Sequence, residues 1–239
     1  MTIKNIACYA FLKPHFDLKL MREVLLNRMK ELSVKGTILL SPEGINCSLS
    51  ALSENMDAFL PFFLGKIGLK NPEIKVTLSE HNSFKRSLVK VKEHIVPSPG
   101  ETSVDLLAEK PAPFISPEEF HEWLQDNKEI IVLDTRNDYE FEVGHFKNSV
   151  HLGTKNFSRF EEDLQKAPAE WHNKPIVTFC TGGIRCEKAA PLMIKKGFSK
   201  VYQLQGGILN YFKKMGQGLF EGECFVFDGR RAVGPSSNN

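Results

Sequence analysis

Along the first ninety or so residues, hydrophobic positions switch between the two-residue period of strands and the 3.6-residue period of helices. Alternating and β-rich runs predict strands at residues 5–12, 36–41, 45–49, 74–78 and 84–91. Helical spacing predicts one helix over residues 18–32, capped by Asp17, and a second helix over residues 53–67. The resulting order β-α-β-β-α-β, with one further strand, is that of a ferredoxin-like or acylphosphatase-like domain of the α+β class.

The composition changes at residue 97. The prolines and glycine at positions 97, 99, 100, 111 and 113 bracket a short segment that is typical of a linker. We therefore predict a domain at residues 1–96, a linker at 97–114, a second domain at 115–220 and a C-terminal extension at 221–239. The polar end of that extension, residues 235–239, is predicted to be disordered.

Beyond the linker, helical and strand patterns alternate. Ser116 followed by Pro117 is a helix-start signal ahead of an apolar segment at residues 120–124. Further helices are predicted over residues 157–166 and 185–196, and strands of the buried type over residues 129–134, 175–180 and 200–204. This alternation predicts an α/β domain whose parallel sheet is flanked by helices.

Composition places the chain among ordinary globular proteins. Hydrophobic residues make up 41% and charged residues 25%, which excludes intrinsically disordered, collagen-like and coiled-coil proteins. No apolar run approaches the roughly 20 residues of a membrane-spanning helix. No secretory signal begins the chain, so we expect a cytoplasmic protein with no membrane partner. The net charge of +2 is too balanced to predict nucleic-acid binding by itself, and no pattern predicts an oligomeric state.

The cysteine count indicates an intracellular protein. Five cysteines without a C-x-x-C pair predict reduced thiols rather than a disulfide framework or a zinc site. We expect no metal, since His145 has no second ligand at a helical spacing. Cys8 and Cys224 lie in apolar runs and are expected in the core, whereas Cys47 lies beside a predicted turn and is a candidate for an exposed thiol.

The strongest chemical signal is the loop that follows the apolar strand before residue 180. Its members are candidate active-site residues: Cys180, Thr181, Gly182, Gly183, Ile184 and Arg185. In a parallel α/β sheet, ligands bind at the carboxyl ends of strands. The loop can curl its backbone N–H groups around the sulfur, and the helix that follows adds partial positive charge. Both effects favour the thiolate, which is the nucleophilic form of cysteine.

The length of this loop limits its chemistry. Cys180 and Arg185 form a C-x4-R motif, one residue shorter than the C-x5-R loop of cysteine phosphatases. The tighter cradle suits a terminal sulfur atom better than a phosphoryl group. A simple turn after a buried cysteine would explain the glycines, which permit positive φ, but not the arginine and helix start beside them.

The neighbouring residues each have two interpretations. Arg185 is a candidate catalytic residue that orients substrate or balances bound charge, or it forms a salt bridge at the helix start. Cys186 is a candidate resolving thiol for a persulfide or sulfenic acid, or a core residue. Asp134 and Arg136 follow the predicted strand at 129–134, where they support the loop or form a structural ion pair.

Basic residues mark one strand of the N-terminal domain. If the alternation of the last strand continues to residue 94, Arg86, Lys90 and Lys92 lie on one face together with His94. These side chains are candidates for binding RNA phosphates, and the alternative is an ordinary solvated edge of the sheet.

Two sets of motifs resemble known families. Asp134-Thr135-Arg136, the run from Glu140 to His145, and the loop at residues 180–185 resemble the signatures of rhodanese (sulfurtransferase) domains over about residues 115–220. Over nearly the whole chain, four motifs are similar to the bacterial tRNA uridine hydroxylase family: Gly44-Ile45-Asn46, CTGGIRCEK at 180–188, QLQGGIL at 203–209 and GECFVFD at 222–228. The chain departs from that family at Cys47, where glycine is usual, and many members continue into a cysteine-bearing tail beyond the position of Asn239.

The second resemblance implies an enzyme that installs 5-hydroxyuridine at the wobble position of tRNA, with Cys180 as the essential persulfide-type residue. It implies molecular oxygen as co-substrate, the anticodon stem-loop of tRNA as partner, and no known metal or flavin cofactor. The N-terminal domain would hold the RNA. Two chemical routes remain open: attack of the Cys180 thiolate or persulfide on uridine C6, or an activated oxygen or sulfur species carried by Cys180 itself.

Two other functions are compatible with the loop. The first is a sulfurtransferase that moves sulfane sulfur through a Cys180 persulfide to cyanide or a thiol carrier. The second is a non-catalytic rhodanese-type binding module, which would have no need of the cysteine.

Overall fold

The computed structural model describes residues 2–102, 104–108 and 111–235. Within these ranges the chain forms two compact units. One unit comprises residues up to 96 together with residues 227–231, and the other comprises residues 97–226 together with 232–235. The segment beyond residue 220 therefore contributes to both units. Its end at residues 236–239, most of the stretch predicted to be disordered, lies outside the described residues.

The first unit is a sheet with two helices packed on one face. Its elements are β1 (Ile3–Phe11), α1 (Leu18–Glu31), β2 (Lys35–Ser41), β3 (Gly44–Leu52), α2 (Ser53–Ile67), β4 (Lys75–Ser79) and β5 (Ser87–Val91). The strand order is β4-β1-β3-β2-β5, antiparallel except that β5 runs parallel to β2. The predicted ferredoxin-like order with one further strand is confirmed.

Local signals fix the first helix and the side of the sheet that it covers. Asp17 accepts a hydrogen bond from the N–H of Leu20 at 2.8 Å, as its N-cap role requires. Leu25 and Met29, one helical turn apart, are fully buried against the sheet. This face carries most of the apolar burial that stabilises the unit.

The expectation of an exposed Cys47 is wrong. The strand β3 begins at Gly44, directly after the turn, so Cys47 is inside the strand and not beside its end. It pairs directly with Cys8 of β1, and the two-residue period places both side chains in the apolar core, where Cys47 is 1% exposed.

The last strand of this unit is shorter than predicted. Before Ser87, the N–H of Ser83 is bonded to Ser50 Oγ and the N–H of Phe84 to Asn82 Oδ1, which holds the chain in a turn. After Val91, the carboxylate of Glu43 accepts the N–H of Ile95 at 2.7 Å and pulls the chain off the ladder. The alternation predicted to residue 94 therefore stops at the end of β5.

The second unit is a parallel sheet between helices, with smaller antiparallel pairs beside it. Its elements are β6 (Phe114–Ile115), α3 (Pro117–Gln125), β7 (Ile131–Asp134), α4 (Asp138–Val143), β8 (Gly144–Phe146), β9 (Val150–His151), α5 (Phe160–Leu164), β10 (Pro175–Phe179), α6 (Ile184–Lys195), β11 (Lys200–Leu204), α7 (Gly207–Met215), β12 (Phe220–Gly222), β13 (Cys224–Phe225) and β14 (Ala232–Val233). Short 3-10 turns at Phe157–Arg159 and Ala169–Asn173 precede α5 and β10.

The order of the parallel sheet is β6-β11-β10-β7-β9, which confirms the predicted α/β class. Its central strand β10 is mostly apolar and almost wholly buried. The Cys180 loop begins directly at the carboxyl end of this strand. On one face, Phe146 packs edge-to-face against Phe120, Phe179 and Tyr211. This aromatic cluster fixes the strand ends that carry the site.

No helix within the described ranges is long and apolar enough to cross a membrane. The short elements α4, β6, β8, β9 and β12 to β14 were not predicted, because runs of two to six residues carry too few periods to be recognised. The nine-residue helix α7 was not predicted either.

Candidate active site

Cys180 lies at the carboxyl end of the central strand β10, at the start of a loop that closes on its own sulfur. Gly183 has a φ of +97° and serves as the N-cap of α6, a conformation that favours glycine. Its N–H donates to Cys180 Sγ over 3.1 Å. The N–H of Arg185 also hydrogen-bonds to this sulfur. The structure thus forms the predicted cradle, with the sulfur facing the start of a twelve-residue helix.

The Cys180 sulfur is held as a thiolate. Burial at 2% exposure opposes ionisation, but the thiol of Cys186, the Arg185 charge and the two N–H groups outweigh burial and lower the pKa to about 6. The pKa of Cys186 is raised well above its ordinary value by burial and by this same contact. Cys186 therefore remains a protonated donor to its neighbour, and at neutral pH only Cys180 of the two thiols is ionised.

Cys186 is positioned by two elements. It lies in the first turn of α6, where its N–H bonds to the carbonyl of Gly183 at 3.0 Å. Thr135, just beyond β7, places its hydroxyl 3.6 Å from Cys186 Sγ. The thiol of Cys186 is fully buried, as a core residue would be, and it contacts the sulfur of Cys180. Its role as a resolving thiol stays a prediction.

Arg185 is held by a buried carboxylate. Its guanidinium donates to Glu140 Oε2 at 2.8 Å and to Glu140 Oε1 at 3.2 Å, a bidentate pair. Glu140 is fully buried and also accepts the N–H of Asn137, which caps the short helix α4. Arg185 therefore makes the predicted salt bridge, and its charge lowers the pKa of Cys180. Its catalytic role toward a substrate stays a prediction.

Asp134 and Arg136 form a second ion pair, fully buried on both sides. The Arg136 guanidinium donates to both carboxylate oxygens of Asp134 and, at 2.6 Å, to the carbonyl of Gly144 at the start of β8. Burial alone would lower the pKa of Arg136, but the Asp134 charge raises it above its ordinary value. The pair thus fixes β7 to β8, and it reaches the active loop through the neighbouring Thr135, whose N–H donates to the carbonyl of Phe179 at 3.0 Å.

A further support of the loop was not predicted. Gly206 and Gly207 both have positive φ, which turns the chain from β11 into α7. The N–H of Ile208 then donates to the carbonyl of Cys180, and the N–H of Leu209 to that of Thr181. An added Cβ at Gly207 would lie 2.4 Å from the carbonyl oxygen of Cys180. The double glycine in the sequence could have indicated a tight turn here. That this turn packs on the Cys180 loop is evident only from the fold.

The candidate RNA-binding residues lie in the first unit. Lys90 lies within β5, and Arg86 and Lys92 flank it, so they share one edge strand of the sheet. All three are exposed, and none makes an ion pair with a described residue. His94 lies beyond the strand and is paired with Glu43 at 3.1 Å.

His145, the histidine of the rhodanese-like motif, makes contacts of a structural kind. His145 stacks on Phe141 at 4.0 Å and bonds to its carbonyl oxygen. In residues 2–102, 104–108 and 111–235, no three histidine, cysteine or acidic side chains come together where they could hold a metal ion.

Comparison with known proteins assigns each unit. Residues 3–95 match the family model described as UPF0176 acylphosphatase like domain, and residues 116–214 match the Rhodanese-like domain. A solved rhodanese-like domain from Anabaena sp. aligns with 46% of this chain and 79% of its own, at 18% identity and a TM-score of 0.40.

Curated relatives match both units together. The tRNA uridine(34) hydroxylase of Cupriavidus pinatubonensis is 39% identical over 99% of this chain and 84% of its own length. That of Legionella pneumophila strain Paris is 40% identical over 97% of this chain and 91% of its own.

The ionisation of Cys180 can be measured directly. The alkylation rate of the Cys180 peptide with iodoacetamide, followed by mass spectrometry against pH, should rise with a midpoint near 6, because the thiolate reacts and the thiol does not. Cys186→Ala removes a donor and should move the midpoint upward. A wild-type midpoint near that of a free cysteine, about 8.5, would contradict the arrangement described.

The packing of Gly207 on the loop yields a matched pair of substitutions. Gly207→Ala introduces both positive-φ strain and a clash with the Cys180 carbonyl, so thermal unfolding should show a loss of about 2 kcal/mol or more, and the Cys180 alkylation midpoint should rise. Gly153→Ala has a similar φ of +71° but open space around it, and should show only the strain of about 1 kcal/mol with an unchanged midpoint. Equal effects of the two variants would refute a specific role for Gly207.

Proposed function

This chain belongs to the family of tRNA uridine(34) hydroxylases, and on that basis we propose that it converts the wobble uridine of tRNA to 5-hydroxyuridine with Cys180 as its nucleophile. The observation that carries the proposal is the thiolate at the loop, with a pKa of about 6, in a chain that matches these hydroxylases over nearly its full length.

The chemistry begins with the electron pair of the thiolate. Attack of Cys180 Sγ on uridine C6 forms a C–S bond and moves the C5–C6 π electrons to C5, which becomes an enolate carbon. That carbon forms the new C–O bond with an activated oxygen. Loss of the proton on C5 then expels the thiolate and restores the double bond. Arg185 stabilises the anionic sulfur at the start and at the end of this cycle.

The oxygen balance requires two electrons. One atom of O2 enters at C5 in place of hydrogen, the other leaves as water, and two thiols supply the electrons as they become a disulfide. Molecular oxygen is therefore the proposed co-substrate, with a small thiol as reductant and no metal or flavin. A persulfide on Cys180 could replace the thiolate as nucleophile with the same balance at uridine.

The substrate has to present its base to a nearly buried sulfur. Single-stranded loops of RNA allow this, because their unpaired bases can be splayed out and stacked on protein side chains. We propose the anticodon stem-loop as the part of tRNA that is bound. Arg86, Lys90 and Lys92 on the exposed edge of the first unit are the proposed contacts to its phosphates. An enzyme of tRNA also belongs in the cytoplasm, where we place it.

Sulfur transfer is the second candidate, and the size of the loop favours it. A C-x4-R cradle whose two N–H groups already contact Sγ has donors of the kind that would stabilise a terminal persulfide sulfur. The persulfide would then pass its outer sulfur to cyanide or a thiol, and the thiolate would be released. Transfer from thiosulfate with no dependence on RNA would support this function.

The leading function is tested by nucleoside mass spectrometry of tRNA from cells that lack the protein. We expect 5-hydroxyuridine and its wobble derivatives to fall and to return with the wild-type gene or with Cys8→Ala, a buried cysteine of the other unit. Cys180→Ser should restore none, because a serine hydroxyl is not ionised at neutral pH. Full rescue by Cys180→Ser would leave a binding module as the better description.

The origin of the oxygen atom is tested with purified protein, tRNA and a thiol under heavy-isotope O2. The 5-hydroxyuridine formed should carry the heavy isotope, whereas a reaction in heavy water under ordinary O2 should leave it unlabelled. Label from water alone would exclude the proposed oxygen balance and favour hydration chemistry at the pyrimidine ring.

A further inference from the structure

A recess of about 380 Å³ lies in the second unit, away from the Cys180 loop. It is formed by the end of α3, the turn that leads into β7 and the turn between β8 and β9. Ile130 and Leu219 supply part of its apolar lining. The volume is at the small end of the range for ligand pockets, roughly 300–1,000 Å³, and fits a single nucleotide better than a large ligand.

Three of the polar side chains that line this recess lack hydrogen-bond or ion-pair partners in the described part of the chain. Among the described residues, the indole N–H of Trp123 and the side-chain amide of Asn148 have no hydrogen-bond partner, and Lys147 makes no ion pair. The ammonium of Lys128 lies 4.7 Å above the Trp123 ring. Lys128, Lys147 and Asn148 are exposed, and Trp123 is half-buried.

The charge of the recess is one-sided. No aspartate or glutamate lines it, and Glu129, the nearest acidic residue in the sequence to Lys128, is paired with Lys174 at 2.9 Å. The Trp123 ring is held in place by edge-to-face packing on Tyr202 at 5.4 Å. A fixed aromatic ring beside two unpaired ammonium groups is complementary to a planar base joined to a phosphate.

The Lys128 contact does not block such a ligand. A surface cation–π contact is weaker than the stacking of a base on an aromatic side chain, so a base can displace the ammonium from the ring. The displaced ammonium remains beside the recess on its flexible stem, where it can meet the phosphate of the same nucleotide.

We propose that the recess binds an unpaired nucleotide of the RNA substrate, stacked on Trp123 with its phosphate at Lys128 and Lys147; this rests on the proposed function. Two lysines in an exposed recess hold a free mononucleotide weakly, but a nucleotide tethered to bound RNA is present at a high effective concentration. Because β7 and β10 are parallel, the recess lies at the amino ends of the strands and Cys180 at the carboxyl ends, roughly 13 Å or more apart. The bound nucleotide is therefore a different one from the reacting uridine.

Fluorescence anisotropy with a labelled anticodon stem-loop RNA tests the recess. Trp123→Ala should weaken binding about tenfold by loss of stacking, and Trp171→Ala, the other tryptophan of the chain, should leave it unchanged. The Cys180 alkylation midpoint serves as a check that the variant has folded. Equal affinity of the wild type and a folded Trp123→Ala variant would overturn the proposal.

A double lysine variant gives an independent readout that does not disturb the core. Lys128→Gln with Lys147→Gln should lower the slope of log affinity against log salt by about 0.7, the value for one neutralised phosphate on a single strand. Lys213→Gln, an exposed lysine on α7 that does not line the recess, should leave the slope unchanged. An unchanged slope in the double variant contradicts the phosphate contacts.

Free uridine monophosphate distinguishes the source of the nucleotide. In a Trp171→Phe background, Trp123 is the only tryptophan, and its fluorescence reports occupancy. Tight saturation by the free nucleotide, with unchanged RNA binding in Trp123→Ala, would identify a small-molecule site and overturn the RNA assignment. Weaker RNA binding by the recess variants, in a protein whose loss leaves 5-hydroxyuridine unchanged, would retain the recess and reject the hydroxylase function.

Discussion

A thiolate that is 2% exposed is stable only if nearby dipoles and charges replace the water it has lost. At Cys180 they are two backbone N–H groups, the thiol of Cys186 and the Arg185 charge. Each is provided by the loop or the helix after it, so the sulfur and its compensation arise from one stretch of chain. The ionised sulfur in turn favours this loop conformation. The loop conformation therefore stabilises the thiolate, and the thiolate stabilises the loop conformation.

The positive charge beside the thiolate needs compensation of its own. A lone buried arginine would oppose folding, and Glu140 neutralises it through a bidentate pair at the start of α4. Behind it, the Asp134–Arg136 pair ties the end of β7 to the start of β8, where α4 ends. The negative sulfur thus faces the positive Arg185, Arg185 is paired with the negative Glu140, and the Asp134–Arg136 pair is neutral in itself. Ion pairs of this kind add little net stability, so their value lies in fixing where the guanidinium of Arg185 stands.

The sequence was most informative where a signal repeated or stood beside its partner. Helical spacing and caps placed α1 and α2 within a residue of their bounds, and the apolar strand before Cys180 identified the loop. Glu140 was noted as part of a motif, but its pairing with Arg185 spans 45 residues and depends on how α4 folds back on the sheet. Gly207 and the Trp123 recess were missed for the same reason, since each joins segments that only the tertiary fold brings together.

The loop is compatible with both sulfur transfer and uridine hydroxylation, so the loop by itself does not decide the reaction. A small sulfur donor needs only to reach Sγ of Cys180, which is 2% exposed. A uridine is larger, so its base has to unstack from the RNA and the residues that cover the sulfur have to move aside. The free-energy cost of unstacking the uridine is not offset at the reacting carbon. It is offset by contacts to other nucleotides of the RNA, which form before the chemistry begins and help to place the base. An enzyme that uses a buried thiolate on RNA therefore depends on binding surfaces away from its cysteine. Lys90 of β5 with its neighbours Arg86 and Lys92, and the two lysines of the Trp123 recess, have the exposure and charge that this requires.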